Sequence, residues 1–416
     1  MGKYQERAEK VVARIEELAS ITEEDGFITR TYGTKAFLEG RKKVFDWMIE
    51  AGLQTSVDNI GNVRGKLLCD DLNAKTFVIG SHIDTVVNAG KFDGPLGVLM
   101  GLDLLEKLIQ LKVKIPFHIE LIAFSDEEGV RFHTTYLGSK VVAGSFETNT
   151  LDRKDANGIT LKEVITENGG DYQLLEKDKI ADWLGYFEIH IEQGPVLYEK
   201  QIPVAVVTAI AGQRRAEITF TGVAGHAGTV PMNMRQDALA TAADFIVETE
   251  KYALQLKDKI VATTGKLEVI QSASNVIPGK VICSLDLRSA DLEVLNIAYE
   301  KIKAICHEAA EKRKVVVKWN LVQQTTPTLC DEGLTNQLRN SISKGEYPII
   351  ELVSGAGHDG VPISAVSPIT MLFVRCFEGI SHNPLENAET KDIAAAIEVA
   401  EGFVFNVLNS VPLIKD

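Results

Sequence analysis

The chain has 416 residues, 45% hydrophobic and 25% charged, which is enough apolar material for two domains with cores of their own. A formal net charge of −14, with no clustered block of Lys and Arg, argues against nucleic acid as a partner, because phosphate contacts need grouped cations. The five cysteines (Cys69, Cys283, Cys306, Cys330 and Cys376) are odd in number, widely spaced and without a C-x-x-C pair. Neither a disulfide framework nor a zinc–thiolate site is expected, and the setting they suit is a reducing, cytoplasmic one.

The first ten residues are charged and helical in pattern, unlike the apolar core of a secretory leader. No run reaches the ~18 to 20 apolar residues needed to span a bilayer, so no membrane partner is expected. Helix is predicted over 4–20, strands over 62–68 and 76–80, helix over 95–111, and strands over 117–124 and 186–192. That alternation favours an α/β layer with helices packed on a sheet. The polar segment 144–180 reads as a helical excursion.

Near residue 212 the character changes. Residues 215–221 alternate polar and apolar, 237–256 are amphipathic, a strand follows over 280–288, a helix over 292–312 and a strand over 314–320. These signals give β-α-β-α-β; with one further strand between the two helices the order would be β-α-β-β-α-β, that of a ferredoxin-like unit. The pattern then reverts to α/β, with a strong strand over 369–376 and a final helix. The expected fold is therefore a two-domain α/β protein, with a mixed-sheet domain of 1–211 and 328–416 interrupted by an inserted α+β domain of 212–327.

Strand 117–124 ends in three consecutive acids, Asp126, Glu127 and Glu128. Like charges at the edge of a core repel and lose hydration unless something positive compensates them. Strand 76–80 runs into His82 and then a Gly-rich loop that carries Asp93 and opens the next helix. Ligands in open α/β sheets sit at the carboxyl ends of strands, which is where both residues fall. His190 belongs to strand 186–192, and His382 follows the last strand directly. Imidazole and carboxylate together suit zinc and manganese, and metal would be the missing positive charge. Asp84, two residues after His82, is expected to accept the second ring N–H and fix the tautomer. Asp126 reads as a solvated strand-end charge. His118, inside a strand, and His307, on a charged helix, read as structural; His133 lies near the acids without a ligand role.

Six stretches carry a resemblance. Gly80-Ser-His-Ile-Asp-Thr-Val-Val87, Phe92-Asp-Gly-Pro-Leu-Gly97, Phe124-Ser-Asp-Glu-Glu-Gly-Val-Arg-Phe132, His190-Ile-Glu-Gln-Gly-Pro195, Gly225-His-Ala-Gly-Thr-Val-Pro-Met232 and Ser354-Gly-Ala-Gly-His-Asp359 occur in collinear order across nearly the whole chain. They resemble the carbamoylase and allantoate amidohydrolase branch of the di-metal M20 peptidase superfamily. The resemblance implies two divalent metal ions per subunit, Mn2+ or Zn2+. Asp93 would bridge them, His82 and His190 would complete one site, and Glu128 and His382 the other. Glu127 would be the general base that activates water and passes the proton to the leaving nitrogen. The peptidases of the superfamily usually carry a carboxylate where His190 stands, so His190 leans toward the amidohydrolases. His226 would stabilise the oxyanion, reaching across from the other subunit of a homodimer. His358, Gln193, Asn275 and Arg288 would contact the substrate, the last two through its carboxylate.

Ala211-Gly-Gln-Arg-Arg215 bears on the substrate. The resemblance places a substrate-contacting Arg at Arg215 in the allantoate enzymes and an apolar or aromatic residue nearby in the carbamoylases. The implied reaction is hydrolysis of a terminal ureido C–N bond of allantoate, with release of ammonia and carbon dioxide. The alternative within the class is N-carbamoyl-L-amino acid hydrolysis. From a different class, a metal-containing but inactive binding protein on the same scaffold would have no need of Glu127. The inserted domain is expected to act as a lid and dimerisation domain, closing about hinges near Ala211 and Thr328.

Overall fold

Strands form where β-branched and aromatic residues run between turn signals, and helices where apolar residues recur every three or four positions. The computed structural model, which describes residues 2–411, divides into two compact units: Met1–Thr208 with Cys330–Asp416, and Ala209–Leu329.

The first unit is built on a mixed sheet of nine strands. Four parallel strands form its centre, in the order His118–Phe124, Thr76–His82, Trp183–Ile191, Ile369–Val374. Antiparallel strands Val63–Leu67 and Val204–Ile210 flank them. Helix Pro95–Gln110 makes the crossover between the first two parallel strands in chain order. It starts with proline at its first turn, where no N–H is needed, and its apolar residues are buried almost all round.

Helix Thr390–Ser410 is long and apolar enough to cross a membrane, where no such run was expected. Most of its residues are buried in the unit, with the Phe403 ring 4.5 Å from Phe187 and 6.2 Å from Phe77. A helix apolar on every side is here a core helix. Arg7 pairs with Asp103 at 2.6 Å and with Glu401, tying helix Gly2–Ala19 to helices Pro95–Gln110 and Thr390–Ser410.

Segment 144–180 is mostly irregular rather than a helical excursion. It holds helix Leu161–Glu167, started by a capping box between Thr160 and Glu163, and two 3-10 turns. Asp155, Asn157 and Gly158 supply turn chemistry instead, the Asp155 side chain accepting from the backbone of Asn157 and Ile159.

The second unit is an antiparallel sheet in the order Leu267–Ile270, Lys280–Ser289, Gly212–Thr221, Val316–Gln324, with Val261–Thr263 also pairing with Lys280–Ser289. Numbered along the chain, the four main strands stand 4-1-3-2, the ferredoxin-like order. Ile218, Phe220, Leu285 and Leu287 point inward to a core shared with Phe245 and Ile302 of helices Ala238–Gln255 and Leu292–Arg313. The alternate residues, Arg215, Asp286 and Arg288 among them, face outward.

Candidate active site

Strand His118–Phe124 delivers the acids into a turn that the following chain folds back over. Gly138, Leu137 and Tyr136 donate backbone N–H groups to the carbonyls of Ser125, Asp126 and Glu127. This cover buries Asp126 to 1% exposure, correcting the expectation of a solvated charge. Burial first, and then the charge of Asp84, push its carboxyl well above the usual carboxylate range. Its backbone is left-handed, with φ 54°, as are those of Gln193 (56°) and His382 (52°).

Asp84 does a different job from the one expected. The Nδ1 of His82 lies 3.0 Å from the backbone carbonyl of Asp84 and 3.8 Å from its carboxylate. The carbonyl can only accept, so Nδ1 donates and Nε2 is the ring nitrogen turned toward Asp93, whose Oδ1 lies 3.9 Å away. The Asp84 carboxylate instead accepts the backbone N–H groups of Glu127 at 3.0 Å and Glu128 at 3.1 Å, fastening the acid turn to the His82 strand. His190 is oriented in the same way as His82, its Nδ1 donating to the Ile191 carbonyl at 3.0 Å. Its Nε2 then faces Asp93 Oδ1 at 3.2 Å.

Asp93 stands at the centre. Its Oδ2 is 3.1 Å from His382 Nε2, which is itself 3.3 Å from Glu128 Oε1. Gly94, with φ 84°, lets the chain turn from Asp93 into the helix; a Cβ there would meet the His82 ring at 2.5 Å. Among the described residues, three overlapping groups have ligand atoms within 4.8 Å of one another: His82, Asp93 and His190; His82, Glu127 and Glu128; Asp93, Glu128 and His382. Inward-facing imidazole lone pairs among crowded carboxylates are the donor set of divalent metal ions, so the residues fit the group.

The electrostatics point the same way. Burial would raise the Asp93 carboxyl, but the hydrogen bond from His382 and the fields of His190 and His82 outweigh it and hold it well below the usual range. Burial and then Glu128, Asp359, Asp84 and Asp93 push the Glu127 carboxyl well above its ordinary value. Burial opposes charge on His82, yet Asp84 and Asp93 overcome it and raise the ring to about 9. These groups are calling for positive charge.

His358 packs edge-on against His190, ring centroids 4.6 Å apart, and its Nε2 is 2.6 Å from the Ser354 hydroxyl. Burial keeps it neutral, well below the ordinary imidazole value. The Gln193 amide, expected at the substrate, reaches Asp93 Oδ2 at 3.1 Å and the Ser381 hydroxyl at 3.2 Å. His133 is exposed and stands outside these groups.

The second unit groups its residues in two places. On the outer sheet face Asp286 accepts from Arg215 at 2.9 Å and from Arg288 at 2.8 Å. In a two-stranded pair, His226 lies opposite Val276, and the Asn275 carbonyl accepts the Ala227 N–H at 2.9 Å. The Gly228 N–H donates to His226 Nδ1 at 3.0 Å, which leaves Nε2 of this exposed ring as the N–H donor. That is the tautomer an oxyanion needs.

Residues 78–406 match the model of peptidase family M20/M25/M40. The chain belongs to this family. Allantoate deiminase 2 of Glycine max is 38% identical to it, over 96% of this chain and 89% of that protein. The N-carbamoyl-L-amino acid amidohydrolase of Geobacillus stearothermophilus is 36% identical over 94% of this chain and 97% of its own. Among solved structures, an amidase of the hydantoinase/carbamoylase family from Burkholderia multivorans superposes with a TM-score of 0.91 at 32% identity, covering 96% of this chain and 97% of that one. The M20 chain is an amidohydrolase of the allantoate deiminase and carbamoylase type.

Three residues of this M20 amidohydrolase escaped the sequence reading. Glu188 accepts from the Tyr186 hydroxyl and the Gly360 N–H, each at 3.0 Å, and Asp359 accepts from Ser139 at 2.6 Å, both acids buried beside His358. Glu386 is buried against the Asp93 loop. An acid two residues before a candidate ligand, one directly after a histidine and one four residues after His382 were the only signals available.

Proposed function

We propose that this chain hydrolyses allantoate at a terminal ureido C–N bond, releasing ammonia and carbon dioxide. The observation that carries the reading is the pair Arg215 and Arg288, held by Asp286 on one exposed face. Allantoate carries two ureido groups and a carboxylate, and two planar guanidinium forks match them better than one. The similarity to the soybean protein named allantoate deiminase 2 supports the choice.

Two divalent ions, manganese or zinc, held by His82, Asp93, Glu128, His190 and His382, would supply Lewis-acid chemistry and a reactive water when bound. Glu127 is the base. With its affinity for a proton raised by burial and neighbouring acids, it takes the proton from the attacking water and returns it to the leaving nitrogen. His226 donates from Nε2 to the developing oxyanion, and Arg288 and Asn275 take the carboxylate. We place the chain in a homodimer on the family resemblance, which light scattering at several concentrations checks.

The second reading, hydrolysis of N-carbamoyl-L-amino acids, is favoured by the similarity to the Geobacillus protein. Metal-stripped enzyme reconstituted separately with Mn2+ and Zn2+ decides between them. Ammonia release from allantoate with a kcat/KM well above that for N-carbamoyl-L-amino acids is expected; the reverse order overturns the substrate and favours the second reading.

A further inference from the structure

Glu386 has no role in the chemistry described so far, yet its side chain bonds to the two loops that carry the candidate ligands Asp93 and His382. It is 2% exposed. One carboxylate oxygen accepts the backbone N–H groups of Phe92 at 2.8 Å and Asp93 at 3.1 Å, and the other accepts the Ser381 hydroxyl at 2.9 Å. A single carboxylate therefore joins two loops that lie 294 positions apart in the chain. The approach is close: a Cβ at residue 90 would come within 2.1 Å of the Glu386 side chain, so the loop admits the carboxylate only because residue 90 is glycine.

Each loop carries a candidate ligand. Asp93 belongs to one and His382 to the other, and their facing atoms are 3.1 Å apart. Ser381 extends the link, since its hydroxyl oxygen is also 3.3 Å from Asp93 Oδ2. A buried carboxylate loses hydration that only well-placed donors offset, and two of the three donors here are backbone groups with fixed directions. Moving Glu386 would release the Asp93 backbone and the Ser381 side chain together.

We propose that Glu386 is a positioning residue, clamping the Asp93 loop to the His382 loop and so setting the spacing of Asp93, Glu128 and His382. The proposal rests on those three residues holding a metal ion. Groups that orient ligands in this way change metal affinity by about 10- to 100-fold when they are removed.

The test is calorimetric titration of the metal-stripped, full-length chain with Mn2+ alone, for the native sequence, Glu386→Ala, Glu386→Gln and Gly90→Ala. Glu386→Ala should lose about 10- to 100-fold in Mn2+ affinity while the melting temperature of the metal-stripped protein stays close to native. Gly90→Ala, which pushes the carboxylate aside without deleting it, should lose affinity too. Glu386→Gln keeps an acceptor oxygen for both backbone N–H groups and should recover most of the loss. Native affinity in Glu386→Ala overturns the clamp, as does a loss of affinity matched by an equal fall in the stability of the metal-stripped protein. Should Glu386→Ala not fold, Gly90→Ala decides: unchanged affinity there overturns the proposal, and a loss there beside near-native affinity in Glu386→Gln supports it. The readout is independent of substrate, so a chain that binds Mn2+ but hydrolyses neither allantoate nor an N-carbamoyl amino acid contradicts the proposed function and not this inference.

Discussion

A carboxylate that must take a proton and give it back works best when its proton affinity lies close to the working pH. Glu127 is buried among four neighbouring acids, which raise its proton affinity in the metal-free chain. Replacing it with Gln removes the base and keeps the shape, so kcat should fall by about 10²- to 10⁴-fold while bound metal, measured by mass spectrometry, stays unchanged. Retained activity would remove Glu127 from the reaction. Neighbouring acids show how far identity can be from role. Asp84, in the spacing of a tautomer-fixing partner, spends its carboxylate on the N–H groups of Glu127 and Glu128, and the backbone carbonyl at the same residue orients His82. Asp126, next to the base, is buried by the segment 136–138 that folds back over it, where Leu137, eleven residues later, donates to its carbonyl.

At the scale of an element, strand pairing decides which side chains meet. Asp286 lies opposite Arg215 in the register between strands Lys280–Ser289 and Gly212–Thr221, and Arg288 is on the same face two residues on. Burial alone would raise the Asp286 carboxyl, but Arg288 and then Arg215 overcome it, leaving the folded-state value below 3.8. A depressed acid stabilises the fold above its unfolded value and loses that contribution as pH falls through the folded one. Asp286→Asn should therefore be less stable than the native chain near about pH 5, and the difference should shrink toward about pH 2. Urea denaturation across that range measures it; a difference independent of pH would show that the carboxylate charge does not stabilise the face.

For the whole molecule, the crowding of acids at the ends of the parallel strands has a consequence for order. With metal removed, Asp84, Asp126, Glu127 and Glu128 repel without a compensating ion, so removal should loosen the strand ends that carry them. Hydrogen exchange is expected to speed up near His82, residues 126–128 and His190 on chelation, and to stay unchanged in strand Gly212–Thr221 of the second unit. Equal acceleration in both units would contradict that reading.

The sequence by itself determined the alternation of the first unit and, apart from strand Leu267–Ile270, the elements of the second, because strand and helix periodicity are local properties; strand-end position marked His82, Asp93, His190, His382 and the acids 126–128 as candidates, and only the family resemblance singled out Glu128 as a ligand. It missed the short Asp-driven turns of 144–180, where the Asp155 and Asp171 side chains accept nearby backbone N–H groups and compete with helix. Tertiary structure alone decided the burial of Asp126, the tether made by Asp84, the meeting of Gln193 with Asp93, and the clamp made by Glu386. Each of these depends on hydrogen bonds whose partners lie in different segments, and sheet order rather than residue spacing brings such partners together.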